Sequence, residues 1–343
     1  MAASLFSCKK SDGLDHEHRR RVEELQNQKS NLLNEIYRLE NGMEAEIGIN
    51  SYMSFIFLGC DAAIYDEILP IFETEEVKLT GVICIYENEL PGTEGNISVE
   101  EYFDLLSRGW ETALYWKGIP EESEADGKEI LRDFISVMNA EFSEFMLNTS
   151  EYCVMLEETY GAEISFPESI VFADGCYSAE YDAVIESFGI RNVIHDGSSE
   201  LGLFAQDKPE GIWKSAAIGW RNLSYSIRLK RHIESKGGYA SFKIGFDNSE
   251  DDYETSFHPI EGESLTNGVR LEVFKRMIDN FTASIQSGDI HVKGISGARE
   301  GIEKYYADKA VYLDYSSKRI AEIRAMISEI EYQIIKIYEE YSD

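Results

Sequence analysis

Two hydrophobic patterns alternate along most of this chain. Between residues 50 and 310, short apolar runs rich in aromatic and β-branched residues are followed by longer segments whose apolar positions recur at helical spacing. The first run, Tyr52–Leu58, is apolar and rich in aromatic residues, which is typical of a strand buried on both faces. Gly59 then allows a sharp turn. The alternation predicts a mostly parallel sheet wound with helices, closed or nearly closed into a barrel.

The elements predicted in this region follow the same order. The strands are Tyr52–Leu58, Lys78–Tyr86, Glu111–Trp116, Ser169–Phe172, Asn192–His195, Ile212–Ile218, Tyr239–Phe246 and a short run at Asp289–Lys293. The helices are Ile64–Glu73, Val99–Ser107, Gly127–Tyr160, Ala179–Phe188, Ser224–Ser235 and Gly268–Ser284. Barrels of this kind place their chemistry at the carboxyl ends of the strands, so residues there are the first candidates for a site.

A different pattern, the heptad repeat, occupies both ends of the chain. Apolar residues alternate at spacings of three and four from Val22 to Met43, with Lys29 as one charged interruption, and again from Ile320 to Tyr341. Ser316 and its neighbour Ser317 are expected to cap the second helix. Three arrangements fit: the helices pair with each other as an antiparallel coiled-coil stalk, which we favour, they pair across subunits, or each packs on the main domain.

Four segments follow from these patterns. We predict a flexible N-terminus over 1–15, a coiled-coil helix over 16–47, a distorted (β/α) barrel over 50–312 and a second coiled-coil helix over 316–343. The acidic stretch that begins at Asp247 is expected to form a long loop.

Charge and cysteine content limit which partners and which cellular locations are expected. The net charge is −32 and the pI is near 4.5, so nucleic acid and anionic lipid are repelled and excluded as direct partners. No apolar run is long enough to span a membrane. Five scattered cysteines predict free thiols and a cytoplasmic location. Leu5 to Cys8 is similar to a bacterial lipoprotein box but lacks the preceding apolar region, which leaves the cell surface as the alternative.

Several local strings resemble the polysaccharide deacetylase family over roughly residues 50–285. Gly59 to Ala62, with Ile68 to Ile71 after it, stands where the family has Phe-Asp-Asp-Gly and its first helix. Gly109 to Tyr115 takes the place of the family's Gly-His-Glu-Ile-Gly-Ser-His strand. Val171 to Tyr177 and Ser187 to Val193 take the places of its Arg-Pro-Pro-Tyr-Gly turn and of the strand that follows.

The resemblance implies a divalent metal held by one Asp and two His, a second Asp as general base and an Arg that orients it. At those positions this chain has Asp61 for the metal Asp, Tyr115 and Ile119 for the two His, Cys60 for the base and Val171 for the Arg. One retained carboxylate cannot hold a metal with an open position, so the resemblance predicts a barrel whose metal site is lost.

Other residues at strand ends remain candidates for rebuilt chemistry or for binding. The catalytic candidates are Asp61, Glu111 and Asp174, and the metal candidates are Asp61 and His195. Aromatic rings beside carboxylates suit sugar rings, so Trp110, Tyr115 and Tyr177 are predicted ligand-binding residues.

These features support one main hypothesis and two alternatives. The main hypothesis is a catalytically degenerate deacetylase-like protein that binds glycans or serves in assembly, needs no cofactor and is not an enzyme. The first alternative is an active carbohydrate N-deacetylase, a hydrolase with a rearranged site that uses zinc or another divalent metal. The second is a structural protein that self-associates through its terminal helices.

Overall fold

The structure is a computed structural model that describes residues 16–43, 47, 51–74, 76–119, 126–173, 175–196, 211–219, 238–245 and 264–340. The N-terminal segment 1–15, the helix predicted at Ser224–Ser235 and the acidic loop from Asp247 lie outside the described residues. The chain divides into two compact units. Unit 1 comprises Met1–Gly48 and Tyr305–Asp343, and unit 2 comprises Ile49–Lys304.

The elements occur in the predicted order. They are α1 (His16–Asn41), β1 (Ser51–Leu58), α2 (a π-helical turn Ile64–Ile68 followed by Leu69–Phe72), β2 (Val82–Ile85), α3 (Val99–Ser107), β3 (Glu111–Trp116), α4 (Gly127–Asn148), α5 (Ser150–Tyr160), β4 (Ser169–Phe172), α6 (a 3-10 turn Ala179–Tyr181 followed by Asp182–Ser187), β5 (Asn192–Asp196), β6 (Trp213–Gly219), β7 (Gly238–Gly245), α7 (Ser264–Gln286), β8 (His291–Val292) and α8 (Ile295–Glu340).

The strands of unit 2 form one curled parallel sheet, consistent with the predicted distorted barrel. Its order is β2-β3-β4-β5-β6-β7-β1-β8, and every pairing is parallel. β1 also pairs with β2, through Ile56 opposite Val82. Since β1 pairs with β7 as well, the series of paired strands from β1 to β7 returns to β1. β8 pairs with β1 lower down, at Tyr52 and Met53. Strands β1 to β7 therefore follow one another around the sheet in sequence order, and helices α2 to α6 lie between successive strands from β1 to β5.

The main core lies between the strands and the helices. Alternate residues of β1, such as Phe55 and Phe57, are fully buried and stack with Phe72 of α2 and Phe242 of β7. The other residues of each strand alternate to the opposite face of the sheet. Both faces of β1 are covered, as the sequence analysis predicted, and its residues are therefore mostly apolar, with Ser51 and Ser54 as the exceptions.

Helix ends follow local capping rules. Ser98 accepts a hydrogen bond from the Glu101 backbone N–H, and the Glu101 carboxylate accepts one from the Ser98 backbone, which is a capping box at the start of α3. The single helix predicted over Gly127–Tyr160 is divided at Thr149. Its φ and ψ of −115° and 21° are not helical, and its hydroxyl donates to the Phe145 carbonyl.

In unit 1, α1 and α8 pack against each other. Val22 and Leu25 share one buried cluster with Ile330 and Ile337, and Ile36 shares a second with Ile323 and Ile327. Ile36, late in α1, shares its cluster with residues that come before the α8 partners of Val22 and Leu25, so the two helices run antiparallel. Lys29, at its charged position in the seam, pairs with Glu331, and Arg319 pairs with Glu35. A coiled-coil supercoil stays a prediction.

The last helix begins at Ile295, whereas the sequence analysis placed its start at Ser316. The serines there do not cap it, because Ser316 and Ser317 donate their hydroxyls to the Leu313 and Asp314 carbonyls three residues earlier. Such back-bonded serines are accommodated inside a helix. No helix among the described residues is both long and apolar enough to cross a membrane.

Candidate functional site

The amino end of the barrel is closed by a buried polar cluster, here called the floor network. It centres on Glu111, the first residue of β3. Oε1 of Glu111 accepts hydrogen bonds from the Ser169 hydroxyl (2.8 Å) and the Ser296 hydroxyl (3.0 Å), and Oε2 accepts one from the Ser296 backbone N–H (2.9 Å). Burial raises the pKa of Glu111, and these hydrogen bonds offset part of that shift.

The floor network continues into α8. Asn192, at the start of β5, donates to the hydroxyls of both Ser169 and Ser296. Arg299 of α8 is 5% exposed, and its guanidinium donates to the carbonyls of Arg191 and Gly211 and to the Glu303 carboxylate. These contacts attach the first turns of α8 to the starts of the strands.

Glu111 therefore lies at the strand-start edge, whereas Asp61 follows the carboxyl end of β1. Because the strands are parallel, these two edges are opposite ends of the barrel, and the structure does not bring Glu111 and Asp61 together. The expectation that they share one edge does not match the topology. In barrels of this type, residues at the amino end serve stability rather than catalysis.

Near the other end, a lysine crosses the barrel interior. Lys243 of β7 is 4% exposed, and its Nζ donates to the Phe172 carbonyl at 3.2 Å. β7 and β4 are not neighbours in the sheet, so the side chain must span the space that the strands enclose. A buried ammonium requires such polar contacts to remain charged.

Asp61 and Cys60 lie where the sequence analysis expected them, after β1. One carboxylate oxygen of Asp61 accepts the Ala63 backbone N–H at 2.8 Å and so shapes the turn into α2. Cys60 is buried, and burial raises the pKa of its thiol well above the usual range. A thiol held in the neutral form is neither a general base nor a nucleophile.

His195 lies at a different location from Glu111 and Asp61, next to Tyr177. Their rings stack with centroids 5.0 Å apart, the Tyr177 hydroxyl donates to Asp182 at 2.9 Å, and Asp182 pairs with Lys214. Burial is the largest cause of the raised pKa of Tyr177. This contact joins one metal candidate to one ligand-binding candidate. Asp174, the remaining catalytic candidate, lies outside the described residues.

A cavity of about 300 Å³ opens beside the carboxyl ends of β2 and β3, and we call it the Tyr86 cavity. Its lining combines rings, charged groups and apolar side chains. The residues are Tyr86, Glu87, Tyr115, Trp116, Lys117, Gly118, Ile130, Asp133, Phe134 and Val137. Tyr86 and Tyr115 meet edge to face, with centroids 6.1 Å apart and planes at 74°. The Lys117 ammonium lies 3.6 Å from the centroid of the Tyr86 ring.

Of the predicted ligand-binding aromatics, only Tyr115 lines this cavity. Trp110 is 4% exposed and stacks on Phe57, so it belongs to the core. The sequence analysis did not single out Tyr86 or Lys117. Their positions in the sequence could have identified them as candidates, since Tyr86 ends the second predicted strand and Lys117 follows the third.

The positions that correspond to the family's metal ligands do not fit a divalent metal. Asp61 supplies a carboxylate, of which one oxygen is already engaged. Tyr115 stacks edge to face with Tyr86, and Ile119 has no donor atom. Among the described residues, no group of three His, Cys, Asp or Glu side chains is close enough to hold a metal ion. We therefore derive no step through a metal.

Comparison with known proteins finds a distant structural relation. No family model and no curated protein matches the chain. Among solved structures, it is similar to one described as "Crystal structure of putative polysaccharide deacetylase from Mycobacterium smegmatis". The TM-score is 0.40 and the identity 15%, over 76% of this chain and 92% of that chain. At this level the similarity marks a distant relation and assigns no activity.

Proposed function

We propose that this chain is a non-catalytic saccharide-binding protein on a barrel of the deacetylase type, and that the Tyr86 cavity is its binding site. The observation that carries the proposal is the cavity itself, which places two tyrosine rings, Glu87 and Lys117 at the carboxyl ends of adjacent parallel strands, with Asp133 of α4 beside them. Ligands bind at this edge of such barrels. The sequence resemblance to a sugar-modifying family motivates the saccharide class.

The composition of the cavity suits a sugar. Saccharides present apolar faces of C–H groups and a rim of hydroxyls. Aromatic rings pack on the former, and carboxylates and ammonium groups bond to the latter. Here Tyr86 and Tyr115 supply aromatic surface, while Glu87, Lys117 and Asp133 supply polar groups. A cavity of about 300 Å³ is at the lower limit for small-molecule sites, which favours one sugar residue in the pocket.

The absence of catalysis and of a cofactor belongs to the same proposal. Metal-assisted hydrolysis needs several protein ligands and a base, and the corresponding positions supply only Asp61 together with the neutral thiol of Cys60. Purified protein should contain no stoichiometric zinc by elemental analysis, and it should release no acetate from N-acetylglucosamine oligomers. Stoichiometric zinc that is lost together with activity in Asp61→Asn would establish the alternative of an active hydrolase.

Binding is tested by titrating oligosaccharides into the isotope-labelled protein and following chemical shifts, with calorimetry for affinity. The expected result is saturable binding that weakens in Tyr115→Leu, which removes one ring of the cavity. Trp213→Phe is the matched aromatic control, because Trp213 is buried against Tyr239 and does not line the cavity. If no neutral, anionic or amine-bearing oligosaccharide binds at millimolar concentration, the proposed function is wrong.

The helix pair of unit 1 supports a second, structural proposal: an antiparallel coiled-coil stalk formed within one chain. Its support is the shared burial of Ile36 with Ile323 and Ile327, together with the ion pair between Arg319 and Glu35. Light scattering should give the same mass for the wild type and for the Ile327→Asp, Ile334→Asp double variant. If the wild type is an oligomer and the double variant is a monomer, these helices serve self-association instead.

We also propose a cytoplasmic location, supported by the free thiols of Cys60, Cys84 and Cys153. Cell fractionation with thiol labelling tests this proposal. Recovery of a lipid-modified protein at the cell surface would overturn it.

A further inference from the structure

We propose that the Tyr86 cavity recognises a protonated amine, carried by the saccharide of the proposed function, and that Lys117 takes the place of that amine when no ligand is bound. The inference rests on the proposed function for the saccharide, but the amine contact can be tested separately. Its starting point is an ammonium group already seated on an aromatic face inside the cavity.

The contact between Lys117 and Tyr86 has the geometry of a cation–π interaction. Nζ lies 3.6 Å from the ring centroid, well inside the distance of about 6 Å at which such contacts are favourable. Lys117 is exposed, and it forms no ion pair with any residue that the structure describes. An exposed contact of this strength is weak, so a ligand can displace it.

The rest of the cavity also suits a cation. Tyr115 stands at 74° to Tyr86, so the two rings form two walls of a corner, as in aromatic cages for ammonium groups. Glu87 and Asp133 add two carboxylates to the lining. When Lys117 swings away from Tyr86, these groups leave a negative, partly aromatic corner that only another cation would satisfy.

The charge of the whole chain points the same way. With 64 acidic and 32 basic residues, the protein has a net charge of −32. This field attracts cationic ligands and repels anionic ones, which raises the association rate of an amine-bearing sugar at low salt. An anionic saccharide held by Lys117 would have to overcome the same field. We therefore assign an amine-bearing rather than a carboxylated or sulfated ligand.

The experiment compares four probes at about pH 6, where sugar amines are protonated: a glucosamine oligomer, an N-acetylglucosamine oligomer, a cello-oligosaccharide and cyclohexylammonium. We expect the glucosamine oligomer to bind most tightly. Its affinity should fall about threefold or more in Tyr86→Leu. In Lys117→Met the competing ammonium is gone, so affinity should rise about two- to fivefold. Lys78→Met is the control, because it removes the same charge from an exposed site outside the cavity.

The inference is tested by whether Lys117→Met raises or lowers the affinity for the glucosamine oligomer. If Lys117→Met weakens binding of the glucosamine oligomer, or if the acetylated oligomer binds as tightly as the amine, amine recognition is overturned while saccharide binding stands. If cyclohexylammonium shifts the Tyr86 ring resonances but no saccharide binds, amine recognition stands and the proposed function is overturned. Binding of none of the four probes overturns both.

Discussion

Replacing Glu111 tests whether the floor network serves stability or chemistry. Two variants distinguish these roles: Glu111→Ala removes the carboxylate, and Glu111→Gln keeps its size without its charge. The carboxylate accepts hydrogen bonds from the Ser169 hydroxyl, the Ser296 hydroxyl and the Ser296 backbone. We expect Glu111→Ala to destabilise unit 2 strongly and Glu111→Gln to do so weakly.

The magnitude follows from what each donor retains. In Glu111→Ala the two serine hydroxyls and the Ser296 backbone N–H all lose the acceptor that the structure gives them, although both hydroxyls still accept a hydrogen bond from Asn192. A hydroxyl can rotate towards another acceptor, whereas the backbone N–H cannot. An unpaired buried donor costs about 1–3 kcal/mol, and the space left by the side chain adds about 1 kcal/mol. The expected loss is therefore about 2–4 kcal/mol, measured by urea unfolding followed by circular dichroism.

The pH dependence has a defined sign. Burial raises the folded-state pKa of Glu111 above its ordinary value of 4.5. Between those two pKa values the folded state binds more protons than the unfolded state, so the contribution of Glu111 to stability falls as pH rises. Below about pH 4.5 this penalty is absent. Glu111→Gln cannot titrate, so its stability relative to wild type should improve as pH rises from about 4.5 through the raised folded-state pKa of Glu111.

Two results would refute this reasoning. One is a Glu111→Ala protein within about 0.5 kcal/mol of the wild type, a change typical of surface substitutions. The other is a Glu111→Gln protein that unfolds like the wild type at each pH but loses saccharide binding or hydrolysis, which would return Glu111 to a functional site.

Two further pairs of substitutions test the packing of α8, and each pair includes a control. Gly301→Ala should lower the free energy of unfolding by about 1–3 kcal/mol, because a Cβ there would overlap the Tyr52 ring. Its control is Gly297→Ala, where a Cβ has ordinary contacts and the change should be neutral or stabilising by up to about 1 kcal/mol. Equal unfolding midpoints for the two variants would contradict this prediction. Ile327→Asp should cost about 3 kcal/mol or more in unit 1 by placing a charge in a buried cluster, whereas Tyr332→Asp at a 61% exposed position should change little. If thermal unfolding shows that Tyr332→Asp is less stable than Ile327→Asp, the assignment of Ile327 to the buried seam between α1 and α8 is wrong.

Most of the sheet could be predicted from sequence because each strand is short, apolar and bounded by turn residues. Tyr52–Leu58 and Ser169–Phe172 agree with the observed strands to within one residue. The division of the Gly127–Tyr160 helix could not be predicted, since threonine is compatible with a helix and no glycine or proline lies near the break at Thr149. The continuous apolar runs also hide which side chains face the helices, because a strand buried on both faces has no alternation.

The site was harder to predict for the same reason. Trp110 was chosen for its ring beside a strand, but it comes immediately before β3, where the chain enters the sheet from α3, and the core covers it. Glu111 occupies the first position of that strand, and this fact alone placed it at the amino end of a parallel barrel. Position along the strand was thus more informative than residue type.

The barrel interior gives a further reason to place function outside it. Lys243 spans the interior to the Phe172 carbonyl, and Glu111 with its partners closes the opposite end. An ammonium held there disfavours a divalent cation by direct repulsion, and it fills space that a substrate would need. The Tyr86 cavity lies instead between the strand ends and α4, where Asp133 and Phe134 contribute to its wall. The binding site proposed for the Tyr86 cavity is therefore at the side of the barrel mouth, where the described rings and charges meet.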